Sequence, residues 1–254
     1  MVGSKSILTV TTLAFALMFG GGVYVLTHMN QLAKPMAERI ASDALGVRVS
    51  IGAMVISLPE KRVDVHNIKI GNPPGFSKPH ALTIESARVG LKSVAEKLID
   101  FEDVQVSGTD VFLEVKPGGT NLHALRNGIK GSEAREAADE VMKVILRNFT
   151  LGNTVIHPSV TLVSDQDMKP IEIAPITLKN VGVKENGVLA REAVAQIMAP
   201  LLKTFSRAAG DAGYYQGLSG DVLKDMGMGQ FDQIKSQVQD EVDKIGEGLK
   251  SLFE

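Results

Sequence analysis

The sequence predicts an α+β chain: an N-terminal helix long enough to span a membrane, a mainly antiparallel β-sheet module opened by a short helix, and two C-terminal amphipathic helices. Three observations carry this reading. The run ILTVTTLAFALMFGGGVYVL, Ile7 to Leu26, holds no charge over about 20 residues. Between Val47 and Val181 apolar residues recur at every second position in about eight or nine short runs bounded by Gly, Pro and Asn. Beyond Gly187 the apolar spacing lengthens to three and four. The expected organisation is tail and anchor over 1–30, sheet module over 31–187 and helical region over 188–254.

Composition bounds the function classes. With 254 residues, 44% hydrophobic and 22% charged, the chain is globular in composition and large enough for one or two domains, which excludes pervasive disorder and a collagen-like repeat. A net charge of −2 supplies no basic field for a phosphate backbone, so nucleic acid is not an expected partner. The lack of cysteine removes disulfides, thiolate metal sites, thiol catalysis and cysteine lipidation. Aromatics make up 5% with no tryptophan, so the core must be aliphatic and platforms for stacking bases or sugars are not expected.

Ile7–Leu26 matches a hydrocarbon layer of roughly 30 Å. A secretory signal would carry a shorter apolar region and then a small-x-small cleavage site, which Thr27-His28-Met29-Asn30-Gln31 does not offer. The run is read as an uncleaved single-pass anchor. Lys5 before it and Lys34 and Arg39 after it do not decide orientation. The stub before Ile7 is too short to carry function, so the N-terminus is expected inside and the rest exported. Gly20-Gly21-Gly22 could let two such helices approach closely, and a lone anchor tolerates the same glycines.

Lys34 to Gly46 has proline in a first turn and glycine just past its end, the signature of a short juxtamembrane helix. Val47, Val49 and Ile51, then Met54, Ile56 and Leu58, form a strand with a phase slip near Gly52-Ala53. Pro59-Glu60-Lys61 turns into a second strand, Val63 and Val65 then Ile68 and Ile70, with a slip at His66-Asn67. Gly71 to Phe76 is a loop, because its paired prolines cannot donate to a ladder. A third strand runs from Leu82 to Leu91, and Ser93 to Ile99 is expected as a helical turn. Val104 and Val106 open a fourth strand and Val111, Leu113 and Val115 a fifth, with Gly108 between them. Pro117 to His123 leaves the sheet through a turn, and Ser132 to Lys143 is helix-prone with Ser132 as its cap. Strands resume over Val144–His157, Ser159–Val163, Pro170–Ala174 and Ile176–Val181.

Leu189 to Ala209 places Val194, Ile197, Met198, Leu201, Leu202 and Phe205 on one helical face, with a kink expected at Pro200. Gly210 to Gly229 is glycine-rich and loop-like. Gln230 to Phe253 aligns Phe231, Ile234, Val238, Val242, Ile245, Leu249 and Leu252 in a stripe that must pack on the sheet or a partner helix, or lie on a membrane surface.

Motifs for enzymatic chemistry are absent: there is no HExxH, GxxxxGK[ST], GxSxG or GxGxxG. His66, His80, His123 and His157 read as surface or turn residues, since a metal site needs several ligands at matching spacing. Asp139-Glu140 on a helix point apart. Asp165 and Asp167 lack the glycine and terminal glutamate of a calcium loop. A non-enzymatic chain that needs no cofactor or metal is expected.

The order of pieces resembles a known family. An anchor is followed by ALGVRVSIGAMVISLPEKRVDVHNIKIGNPPGF (Ala44–Phe76), the strand Leu82–Leu91, GGTNLHAL (Gly118–Leu125) and KPIEIAPITLKNVGVKENG (Lys169–Gly187) before an alanine-rich helix. This is similar to the N-terminal module of the AsmA family, relatives of the longer TamB and YhdP proteins and of chorein-type lipid-transfer proteins. The resemblance implies a bacterial inner-membrane protein with a periplasmic soluble part, linked to outer-membrane biogenesis and phospholipid handling. It further implies a curved sheet whose groove has an apolar floor. About eight or nine strands at 4.8 Å stack to roughly 40 Å, short for a bridge between membranes, so a conduit would need further copies or partners.

On this reading Val63, Val65, Ile84, Val89, Leu91, Val111, Leu113 and Val115 form the candidate lipid groove. If the C-terminal helices cover that face it is an ordinary core; if they lie aside it accepts acyl chains. The expected function is lipid handling by a membrane-anchored periplasmic protein. The alternative is an anchored scaffold that binds no lipid and whose stripe Phe231, Ile234, Val238, Ile245 and Leu249 docks an envelope protein or a second copy.

Overall fold

The computed structural model describes residues 22–225, apart from 58, 96, 134–142, 161–167 and 217. Helix α1 (Gly22–Leu45) leads into β1 (Val49–Ser57), β2 (Arg62–Gly71), β3 (His80–Ala95), β4 (Leu98–Lys116) and β5 (Gly119–Thr120). Helix α2 (Asn121–Glu133) precedes β6 (Lys143–Leu151), β7 (Thr154–Val160), β8 (Ile171–Ile173), β9 (Ile176–Val181) and β10 (Val188–Leu189). Helices α3 (Ala190–Asp211) and α4 (Gly220–Asp225) complete the described chain. The fold is α+β, with one open, mixed, mainly antiparallel sheet of ten strands among the described residues.

Strands β1 to β4 form an antiparallel meander. On its far side β4 pairs in parallel with β6 over Leu98–Val106 and with β7 over Thr109–Val115. A parallel neighbour requires a crossover, which the α2 segment supplies. β8 and β9 return antiparallel to β7 and β6, and β10 extends the edge of β6.

The phase slips in the sequence line up across the sheet without shifting its register. Pairing skips Gly52 and Asn67 between β1 and β2, Asn67 and Glu85 between β2 and β3, and Glu85 and Gly108 between β3 and β4. The breaks at Gly152-Asn153 and Ala174-Pro175 continue the same line through β6/β7 and β8/β9. Asn67, Gly108 and Asn153 sit at φ of 55°, 68° and 49°, backbone that asparagine and glycine adopt at least cost. A side chain at Gly108 would place its Cβ 2.7 Å from that of Glu85. Both partners skip one residue together, so register is kept while each strand reverses its alternation, and the same face stays apolar on both sides of the line.

Several boundaries differ from the sequence expectation. Pro35 lies inside α1, so the expected juxtamembrane helix is the C-terminal part of a longer one; Gly46 at φ 68° ends it as predicted, donating to Ser42 O at 2.9 Å. Ser93–Ile99 is no helical turn: β3 and β4 meet there as a hairpin, Val94 pairing with Ile99, because this places both on the apolar face. The expected fourth and fifth strands are one, since Gly108 and its opposite Glu85 are skipped together and the ladder resumes in the same register. Pro117–His123 does not simply exit; Gly119 and Thr120 pair back on β4 and α2 starts at Asn121. Val144–His157 divides into β6 and β7. Helix α3 is continuous through Pro200.

Among the described residues no helix is long and apolar enough to cross a membrane. Residues 7–21 of the expected span lie outside the described residues, as do the carboxylates at 139–140 and 165–167 and the whole 230–253 stripe.

The core lies between one sheet face and three helices. Leu122, Leu125 and Ile129 of α2 and Leu201, Leu202 and Phe205 of α3 are buried there. Helix α1 lies along edge strand β1 and closes part of it with side chains. Val49 N donates to Ser42 Oγ at 2.8 Å, Ile51 N to Glu38 Oε1 at 2.6 Å, and Lys34 Nζ to Gly52 O at 3.2 Å, which spares these groups from pairing with another chain.

Candidate functional site

The sheet register assembles the apolar side chains into rows. Val49, Ile70, Leu82, Val111, Ile156 and Ile171 stand side by side from β1 to β8. Beyond the line of slips, Met54, Val65, Ala87, Val106, Leu151 and Ile176 form another row, followed by Ile56, Val63, Val89, Val104, Phe149 and Leu178. Leu91, Phe101, Leu146 and Val181 come next, then Val94, Ile99 and Val144. One aliphatic face thus crosses the whole sheet.

The helices cover this face unevenly. Near the α1 end Leu82, Val111, Leu113, Val115 and Ile156 are at most 2% exposed beneath the helices. Helix α3 also packs on β6, β9 and β10, burying Val144, Leu146, Phe149 and Val181. On β1 to β4, towards the hairpin tips, the cover by the described helices ends. Ile56, Val63, Val89, Leu91, Val94, Ile99, Phe101 and Val104 are all half-buried. From Ala87 to Val94 along β3 this zone is about 23 Å long, and four strands make it about 14 Å wide. That is a footprint of roughly 300 Å² on the sheet, across which each side chain is partly exposed.

The eight sequence-predicted groove residues therefore share one face but have two fates. Val63, Ile84, Val89 and Leu91 are half-buried, and Val89 and Leu91 lie in the uncovered zone. Val65 is 6% exposed at its margin, and Val111, Leu113 and Val115 are sealed in the core. An acyl chain reaching those three would have to displace α2 and α3. Whether a strand residue is floor or core depends on where α3 docks, 75 residues or more away in sequence, so alternation alone could not separate them.

Sequence reasoning missed two features. Helix α2 was signalled by Leu122, Leu125 and Ile129 at helical spacing, now fully buried. The second, a buried Glu114 on the opposite face, had no signal. Its Oε1 accepts from Asn72 Nδ2 at 2.5 Å and Lys78 N at 2.7 Å, and its Oε2 from Ser77 N at 2.8 Å and Ser77 Oγ at 2.6 Å. Burial pushes its pKa up, but these donors more than offset that and hold it below the usual carboxylate value. Asn121 bonds Asn72 Oδ1 and the backbone of Phe112 and Glu114, completing a clamp on loop 72–79.

The rest of the polar face is ionic. Asp64 sits between Arg62 and Arg88, whose hydrogen bonds lower its pKa. Arg147 grips Asp100 with two bonds of 3.0 and 2.7 Å, which raises the arginine pKa. His157 meets Asp110 at 2.7 Å, and His123 bonds Asn127. Within the apolar face Thr109 and Thr154 are neighbours in register, each with a buried hydroxyl lacking a hydrogen-bond partner among the described residues. No group of three His, Asp or Glu among the described residues is placed to hold a metal ion. No family model, curated protein or solved structure matches the chain, so function is argued from this half-covered face itself.

Proposed function

We propose that this chain is an AsmA-like, membrane-anchored protein of the bacterial periplasm that handles phospholipid during envelope assembly, holding acyl chain on the uncovered part of its sheet. The single observation behind the reading is the half-buried aliphatic zone around Val89 and Leu91, paired with Val104 and Phe101 at the margin of the core yet beyond the cover of the described helices. Such a surface needs no specific polar group, because each methylene it removes from water contributes about 0.8 kcal/mol. The open hairpin tips of β1 to β4 leave a lateral way on and off. Chemistry of this kind requires neither cofactor nor catalytic residue.

The test is native mass spectrometry with lipid extraction on the full-length chain from a bacterial host, alongside Val89→Asp. Lipid that merely surrounds an anchor is the same in both proteins; lipid on the sheet is lost from the variant. A wild-type chain carrying no more phospholipid than the variant would overturn the proposal and direct the search to a protein partner of the 230–253 stripe.

A further inference from the structure

On the polar face, where α1 hands over to β1, a cleft of about 580 Å³ is lined by Arg48, Ser50, Lys69, Asn72, Pro79 and His80, among others. Its cations converge for reasons of register. Arg48 and Ser50 alternate with Val49 and so share the face away from the core, and Lys69 is the direct partner of Ser50 on β1 and of Thr83 on β3. His80 opens β3 from the opposite wall. No lining residue is a carboxylate. Glu114, which holds the loop forming that wall, spends both its oxygens on Asn72, Ser77 and Lys78.

Arg48 is the exception among the described arginines. Arg39, Arg62, Arg88, Arg147 and Arg207 pair with carboxylates and Arg126 with His123, and Arg191 also has a partner. Arg48 has no side-chain partner among the described residues, although its backbone oxygen accepts from Gly71 N at 2.8 Å and so fixes where it starts. A guanidinium fork, an ammonium, an imidazole and a hydroxyl around one concavity are the donor set for a tetrahedral anion. Both walls are braced, one by the Gly71 bond and the other by the Glu114 clamp, so the backbone that carries the donors is fixed before any ligand arrives.

We infer that this cleft binds a phosphate group, carried by a small soluble phosphate compound or by a phospholipid headgroup. Calorimetric titration of the full-length chain with inorganic phosphate at low ionic strength tests it. Saturable binding is expected, weakened about tenfold by Arg48→Gln and comparably by Lys69→Gln, and unchanged by Lys179→Gln on another exposed strand position. Water-soluble dihexanoyl phosphatidylglycerol separates the sources: displacement of phosphate by it assigns the cleft to headgroups, and failure to compete assigns it to soluble phosphates. Absence of saturable phosphate binding, or equal affinity for wild type, Arg48→Gln and Lys69→Gln, would overturn the inference.

Discussion

Replacing Glu114 by Gln tests whether a single buried carboxylate holds the β2–β3 loop in place. The side chain is 2% exposed and its two oxygens accept four hydrogen bonds, two each. Glutamine keeps one acceptor oxygen and turns the other position into a donor. Ser77 Oγ can rotate to accept from that amide, but the backbone N–H of Ser77 or of Lys78 then faces a donor. One orphaned N–H costs about 1–3 kcal/mol, and loss of charge assistance in the remaining bonds adds about 1 kcal/mol. The expected loss is thus about 2–4 kcal/mol, read by urea unfolding of the full-length chain at neutral pH. The acid limb supplies an independent check. In the folded chain Glu114 titrates below its ordinary 4.5, so its contribution is complete above that value and disappears as pH falls through the lowered one. The gap between wild type and Glu114→Gln should therefore narrow in acid. A variant within about 0.5 kcal/mol of wild type at neutral pH, or a gap unchanged in acid, would refute the reasoning.

Other outcomes follow from the same coordinates. Val89→Asp, at a half-buried site, should leave a folded chain that has lost lipid, whereas Leu113→Asp, at a site with no exposure, should cost more than about 4 kcal/mol and give little folded protein on expression. Gly108→Ala should lower the melting temperature through a cost of about 1–3 kcal/mol, because φ is 68° and its Cβ would meet Glu85; Asn67→Gly, relaxed on the same line, should move it far less. Thr109→Val combined with Thr154→Val removes two buried unpartnered hydroxyls and should raise unfolding free energy by about 1 kcal/mol or more; a clear loss would mean that those hydroxyls have partners.

Much of the sheet was legible. The slips at Gly52-Ala53 and His66-Asn67 lie opposite each other, so both strands change face together; Asn67 adopts φ 55° and Gly52 leaves room for its Cβ, which a side chain there would meet at 2.7 Å. The stripe Met198, Leu201, Leu202 and Phe205 foretold a helix that buries one face, and it does. Less was legible where a slip and a strand end look alike: Gly108 lies within one strand, and Gly152 separates two. The difference lies in the neighbours, since β3 pairs straight across Gly108 while β4 changes partner at Gly152.

By itself, then, the sequence determined the apolar faces, the positions where the strands change face and the helix stripes, because these are local consequences of side-chain period and backbone preference. Only the tertiary structure decided which part of the shared face is core and which part stays open. It likewise brought Glu114 to a loop 36 residues or more away and set Arg48 and Lys69 around one cleft. Those outcomes depend on where α1 and α3 dock and which strands become neighbours, and such long-range packing leaves no periodic trace along the chain.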